Sequence, residues 1–303
     1  MKIKRAATDF TPDGLPHTRP QVFVDCIKIR HRLLFRLGGV LLLFALPLVC
    51  LLLTHDVTLA TIASHTDVAE EERLRQMFSA DMYFRLSYIV AYIVLGVGMA
   101  GTARVVRQLA WGEGVFFRRD FFDGVKLNGG AYAVVFGLCG VTRFICAFMD
   151  TATAANTAME VVKYMPSVTA VVLLAPVGLL VFNQAVVYKS KLLKLTKNAF
   201  LMYIKTLPTT FVGTLCALLP FFGVTLVEMF AVPVYVKALF VALYVALLLP
   251  LTQLGEFLYC NMLFDRFINS VSHPQMVDKG VWRKNDTAAD VEGKNMDDTA
   301  QKR

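Results

Sequence analysis

The sequence predicts an all-α fold: a polytopic membrane helix bundle of six transmembrane helices with two basic amphipathic elbows on the cytoplasmic side. Three observations carry that expectation. The apolar residues fall in long runs, the runs lack the alternation of a barrel strand, and the segments between them alternate in charge. Of the 303 residues, 56% are hydrophobic, against about 45–50% in ordinary soluble domains. Lipid offers no hydrogen bonds, so a spanning backbone must be helical or closed into a barrel. The stretch LLLFALPLVCLLL, residues 41–53, shows no period of two, so helices are expected.

A crossing needs about 20 mostly apolar residues. Six runs meet that length: Leu33–Thr54, Tyr83–Val105, Gly129–Met149, Ser167–Tyr188, Leu207–Glu228 and Val234–Phe257. Residues 1–30 form a cationic lead, with Lys2, Lys4, Arg5, Arg19, Lys28 and Arg30. The lead is long and the run behind it is span-length, so no cleaved signal peptide is expected. The second inter-span segment carries Arg104, Arg107, Arg118, Arg119 and Lys126, and the fourth Lys189, Lys191, Lys194, Lys197 and Lys205. The first instead holds Asp56, Asp67, Glu70, Glu71, Glu72 and Asp81 against Arg73 and Arg75, and the third Asp150 and Glu160 against Lys163. The positive-inside rule then places both termini in the cytoplasm. The net charge of +8 is a topology signal. Nucleic acid is not an expected partner, because the basic residues are split among membrane-facing loops. The membrane domain is expected over 31–270. The tail, 271–303, is charged and poor in large apolar residues, which predicts disorder.

One stretch fits neither a span nor a soluble helix: WGEGVFFRRDFFDGVKLNGG, residues 111–130. Wound as a helix, Phe117, Phe121, Phe122 and Val125 share one side, and Arg119, Asp120, Asp123 and Lys126 the other. Arg118 lands on the apolar side, where its stem can be buried and its head lifted. That pattern predicts a helix lying in the membrane interface, anchored by Trp111, with a turn at Asn128–Gly130 before the third span. The alternative is a cytoplasmic extension of the spans, packed on its neighbours. Residues 186–205 have the same design. A shift of 70 residues sets Asn128 on Asn198 and Arg119 on Lys189, which makes the two units candidates for a parallel repeat.

The same stretch, with Phe116, Phe117, Asp120, Phe121, Phe122, Lys126 and Asn128 in an FF…DFF…K-x-N arrangement after a span, resembles the YesL-like family of bacterial integral membrane proteins. So does the layout of six spans with basic elbows after the second and fourth. The resemblance covers most of residues 25–270. It implies a bacterial plasma-membrane protein associated with carbohydrate uptake, with ABC-type sugar permease components as partners. It implies no catalytic residues.

Polar groups inside spans are the default places to look for function. Arg143 in the third span and Lys237 in the sixth fall toward the outer face, and Glu256 toward the inner one, so an Arg143–Glu256 pair is not expected. Arg143 is expected to pair with Asp150 or Glu228, or to snorkel. Glu256 belongs with Asn261, Asp265 and Arg266 at the cytoplasmic end. Asn183 and Gln184 are placed to hydrogen-bond between helices. Pro176, Pro220 and Pro250 fall inside spans and predict kinks. The five histidines and six cysteines form no zinc-ligand spacing and no CxxC pair, and the cysteines read as buried thiols. No P-loop or nucleophile elbow appears. No catalytic residue, metal or cofactor is expected. The leading function class is a non-enzymatic accessory or scaffold protein in the lipid bilayer, linked to sugar uptake through partner proteins; the rival is a secondary transporter of a small solute held among the kinked spans.

Cysteine-accessibility labelling in a Cys-free background tests the topology. Labels at positions 67 and 156 should react from outside, and those at 15, 195 and 290 should not. An outside reaction at 195 would overturn the orientation.

Overall fold

The computed structural model of the chain describes residues 15–65, 67–151, 157–229 and 233–282, with side chains left undescribed at 157–158 and 219–229. The described residues are helical and contain no strand. In chain order the helices are α1 (Arg19–Ser64), α2 (Glu70–Ala110), α3 (Phe117–Asp150), α4 (Thr157–Thr169), α5 (Ala175–Val187), α6 (Leu192–Lys205), α7 (Leu207–Met229), α8 (Val234–Leu243) and α9 (Leu249–Phe264). Single π-helical turns join α4 to α5 (Ala170–Leu174) and α8 to α9 (Tyr244–Leu248), and another follows α9 (Asp265–Asn269). All six apolar runs lie on helices. Five helices are long and apolar enough to cross a membrane, or six if α6 and the start of α7, bent by 108°, count as one crossing.

Two of the prolines expected to kink spans stand beside π turns. Pro176 and Pro250 stand in the first turn of α5 and α9, each directly after a π turn. Proline removes one hydrogen bond and crowds the carbonyl of the turn before it. The wider π turn absorbs that misfit and the helix runs on. The side chain of Pro220 lies outside the described residues.

The bundle is organised around α2. Its inner stretch, GVGMAGTA (residues 96–103), is small enough for rings from both sides to rest on its backbone: Phe136 of α3 covers Gly96, Phe44 of α1 covers Gly98, and Phe121 of α3 covers Gly101. Without a hydrophobic drive between helices in lipid, such close packing is what holds spans together. On the other side of α1, Gly38 meets the backbone of Ala246 in the Tyr244–Leu248 turn, where a Cβ would clash.

The first elbow is not an interfacial helix. α3 starts at Phe117 and runs unbroken through Asn128, Gly129 and Gly130 into the third span. Phe121 is fully buried, 2% exposed, in the core with Phe44, and Asp120, expected on the wet face, is buried too. Asp120 closes the helix start by accepting from the Phe116 N–H at 2.7 Å. The alternative of an extension packed on its neighbours therefore describes this segment. Phe116 and Phe122 remain exposed, Phe117 stacks on Phe121, and Arg118, Arg119 and Lys126 point outward. Asn128 is half-buried within the helix. The second basic segment does form a separate amphipathic helix, α6, so the two units of the candidate repeat differ in build.

Three further expectations change. The lead and tail are not separate appendages where they are described: α1 begins at Arg19, and residues 273–282 fold back onto the bundle. All six cysteines are free, but only Cys26 and Cys260 are buried; Cys50, Cys139 and Cys216 face outward from the bundle. Leu195 is buried, so an inner accessibility probe belongs at the exposed neighbour Lys194.

Burial of Phe121 against Gly101 sets a measurable contrast. Phe121→Ala should lower unfolding free energy in detergent by about 3–5 kcal/mol, and Phe122→Ala by less than about 0.5 kcal/mol. Equal losses would place Phe121 outside the core.

Candidate functional site

Polar residues gather at both ends of the bundle. At the end where α1 turns into α2, helices α1, α2, α3 and α8 enclose a cavity of about 290 Å³. α1 contributes His55 and Asp56. α2 contributes Asp81, Arg85 and Tyr88, which helical spacing puts on one face. α3 contributes Arg143 and α8 Lys237. Asp81 accepts from Arg85 Nε at 2.6 Å, one helical turn away, and lies 2.9 Å from His55 Nε2. His55 Nδ1 is 3.1 Å from the Tyr88 hydroxyl, and its ring stacks on Phe84. Lys237 Nζ donates to Asp56 at 2.9 Å. Arg143 Nη1 donates to the Tyr92 hydroxyl at 3.0 Å.

Two of the five polar span residues singled out in the sequence, Arg143 and Lys237, therefore meet in one cavity. Among the described residues Arg143 donates to Tyr92, and of the partners expected for it Glu228 lies outside the described side chains. Asn183 and Gln184 do reach other helices, but through sulfur. Asn183 Nδ2 donates to the Leu179 carbonyl and to Cys260 Sγ of α9, and Gln184 Nε2 to Met202 Sδ of α6. Glu256 is half-buried, and among the described residues no hydrogen bond or ion pair ties it to Asn261, Asp265 or Arg266. Sequence reading passed over His55, Asp56, Asp81 and Arg85 as site residues. The signal available was the Asp81–Arg85 spacing of four at the same expected depth as the end of the first span.

The opposite end is closed by a denser network. Arg19 at the start of α1 pairs with Asp265 after α9, both nearly buried. Asp265 also accepts from Asn269 Nδ2 at 2.7 Å and from the Asp278 N–H at 3.1 Å, and Asn269 accepts from the Tyr188 hydroxyl at 2.7 Å. Asn261, with its amide oxygen facing both donors, accepts from Arg19 at 2.7 Å and from Trp111 Nε1 at 3.1 Å. Trp111 is thus no lipid anchor. It is buried, with Arg107 and Lys279 over its ring and Phe257 against its edge. Burial pulls the Arg107 guanidinium below its ordinary range, opposed by Glu113. Glu113 also pairs with Lys279 at 3.0 Å. The segment 273–282 is strapped across this end: Trp282 N–H donates to the Pro16 carbonyl at 2.9 Å, and Gly280, at φ +87°, lies directly on the backbone of Ala110 and Trp111, a place only glycine fits.

Among the described residues, no three His, Cys, Asp or Glu side chains stand close enough together to hold a metal ion. In comparisons with family models, curated proteins and solved structures, nothing matches this chain.

Breaking a buried pair strands the remaining charge. Arg19→Gln and Asp265→Asn should each cost about 3–5 kcal/mol of stability. The double variant should lose less than the sum, measured by denaturant unfolding in detergent. Additive losses would mean that the two side chains do not meet.

Proposed function

We propose that this is a six-span protein of a bacterial plasma membrane, with both termini cytoplasmic, that binds a small solute from the outer face and acts as a secondary transporter. In this reading α6 lies along the inner surface with its lysines exposed, and α7 crosses after the 108° bend. The alternation of basic and acidic segments supports the orientation. Membership of the YesL-like family belongs to the same proposal. The packing of Phe121 and Asp120 supports it only by giving the FF…DFF stretch a structural role.

The observation that carries transport over a scaffold role is the contrast between the ends. One holds a charged, solvent-reachable cavity, and at the other the described residues carry the Arg19–Asp265 network and the 273–282 strap. Alternating access requires a site open on one side and closed on the other. The cavity lies among α1, α2, α3 and α8, so of the fourth to sixth spans where the sequence reading set a solute it is the sixth that lines it. The accessory reading, with ABC-type sugar permease components as partners, draws on α6. There Leu193 is 86% exposed between lysines, a surface suited to another protein or to headgroups.

Liposomes holding the purified protein should take up at least one of a panel of radiolabelled monosaccharides, sugar acids and small carboxylates faster than empty liposomes. No uptake of any, together with a sugar permease complex captured from native membranes, would favour the accessory reading.

A further inference from the structure

Helix α6 shows three kinds of surface around its circumference. Leu195, Ala199, Met202 and Tyr203 are buried against the bundle. The Tyr203 hydroxyl donates to the Val172 carbonyl, and the Thr206 and Thr210 hydroxyls meet at 2.7 Å, so the helix is fixed to the turn before α5 and to α7. At 3.6 residues per turn, Leu193, Phe200 and Ile204 form an apolar stripe away from that seat, 86%, 43% and 53% exposed. Lys194, Lys197 and Lys205, all exposed, fall on the flank beside the stripe, with Leu201 among them. No Asp or Glu occurs between Glu160 and Glu228. Among the described residues, none of these lysines takes part in an ion pair. The flank ends beside a further cation. Lys205 Nζ lies 5.8 Å from the centre of the Phe267 ring, and the Arg266 guanidinium, from the turn after α9, lies 5.4 Å from the same centre. The neighbouring carboxylate, Asp265, is already held by Arg19, Asn269 and the Asp278 N–H.

We infer that α6 and the Asp265–Asn269 turn form a binding site for an anionic phospholipid, its phosphate held by Lys205 and Arg266 and its acyl chains laid along Leu201 and Ile204. The inference rests on the reading that α6 lies along the inner surface of the membrane, and it names the partner of that surface. Two cations brought to one ring with no carboxylate between them repel each other, and an anion relieves the repulsion. The apolar stripe selects the kind of anion. A soluble anion would leave Leu193, Phe200 and Ile204 in water, whereas a helix lying in the interface buries such a stripe at the acyl boundary. The charge selects the headgroup. A zwitterionic lipid also carries an ammonium, for which this flank has no acid, while an anionic lipid gains from each lysine or arginine near the surface.

The test is lipid binding by the purified full chain in neutral-detergent micelles, read by titration with fluorescently labelled phosphatidylglycerol and, in a parallel arm, with phosphatidylcholine carrying the same label. Phosphatidylglycerol should bind more tightly than phosphatidylcholine. Lys205→Gln and Arg266→Gln should each weaken its binding by about fivefold, and Lys205→Arg should retain it. Arg75→Gln, which removes an exposed charge from the other end of the bundle, should leave binding unchanged, so a loss confined to the first two variants marks a local site. A third arm offers a glutamate homopolymer as the soluble acidic partner. Equal binding of the two lipids, phosphatidylglycerol binding that neither Lys205→Gln nor Arg266→Gln alters, an equal loss in Arg75→Gln, or binding of the glutamate polymer in place of the lipid would overturn the inference. Micelles have no inside and no uptake is measured. A chain that binds phosphatidylglycerol in this way but moves no solute keeps the site and loses the transport reading, and the orientation stands or falls by accessibility labelling.

Discussion

The contact of aromatic rings with the bare backbone of α2 is the constraint on which the rest of the bundle depends. Spans in lipid gain nothing from hiding apolar surface from one another, because the solvent is apolar too. What remains is dispersion at short range, and that requires small residues. Residues 96–103 supply them, and Phe44, Phe121 and Phe136 fill the space from two neighbouring helices. With α1 and α3 seated on α2 at this level, the depth of every polar residue on the three helices is set. His55 comes level with Asp81 at one end, and Arg30 meets the Glu113 carbonyl at the other.

The two polar ends solve the same problem in opposite ways. Charges taken from water need near-complete satisfaction to be tolerated. At the closed end Asp265 has three donors, from Arg19, Asn269 and the backbone of Asp278, and Trp111 spreads its ring between two cations. At the cavity end the pairs His55–Asp81, Arg85–Asp81 and Lys237–Asp56 keep contact with solvent. An end built the first way resists opening. An end built the second way keeps its charges within reach of water.

Much of the architecture was legible because its cause is local. Six runs of span length lie on six stretches of helix, since lipid permits the backbone little else. The elbow at 111–130 misled for a definable reason. A helical face of Phe117, Phe121 and Phe122 records only that one side avoids water, and lipid and protein satisfy it equally. Asp120 was unreadable too: its burial follows from its bond to the Phe116 N–H and from the closeness of α2, and neither shows in a helical wheel. The cavity was half visible. Arg143 and Lys237 stood out as charges in apolar runs, whereas Asp56 and Asp81 looked like ordinary loop acids until α1 and α2 proved to continue past the spans. Pairs such as Lys237–Asp56 and Arg19–Asp265 join residues too far apart in the chain for spacing to suggest them.

Both ends are built on the same long elements, α1, α2 and the α8–α9 pair, and this links them. Asp81 and Arg107 sit on α2, separated by about 39 Å at 1.5 Å per residue, and no proline or π turn interrupts the helix between them. α2 therefore behaves as a rod. The opposing wall is different. α8 brings Lys237 to the cavity, α9 and the turn after it bring Asn261 and Asp265 to the closed end, and between them lies the π turn Tyr244–Leu248 followed by Pro250. A π turn shifts helical register and already lacks the regular bonding pattern, so bending there disturbs fewer hydrogen bonds than bending α2 would. Gly38 of α1 touches the backbone at this place. The π turn Tyr244–Leu248, seated on Gly38 of α1, thus lies between the two polar groups of the α8–α9 wall, whereas α2 joins its own two without a break.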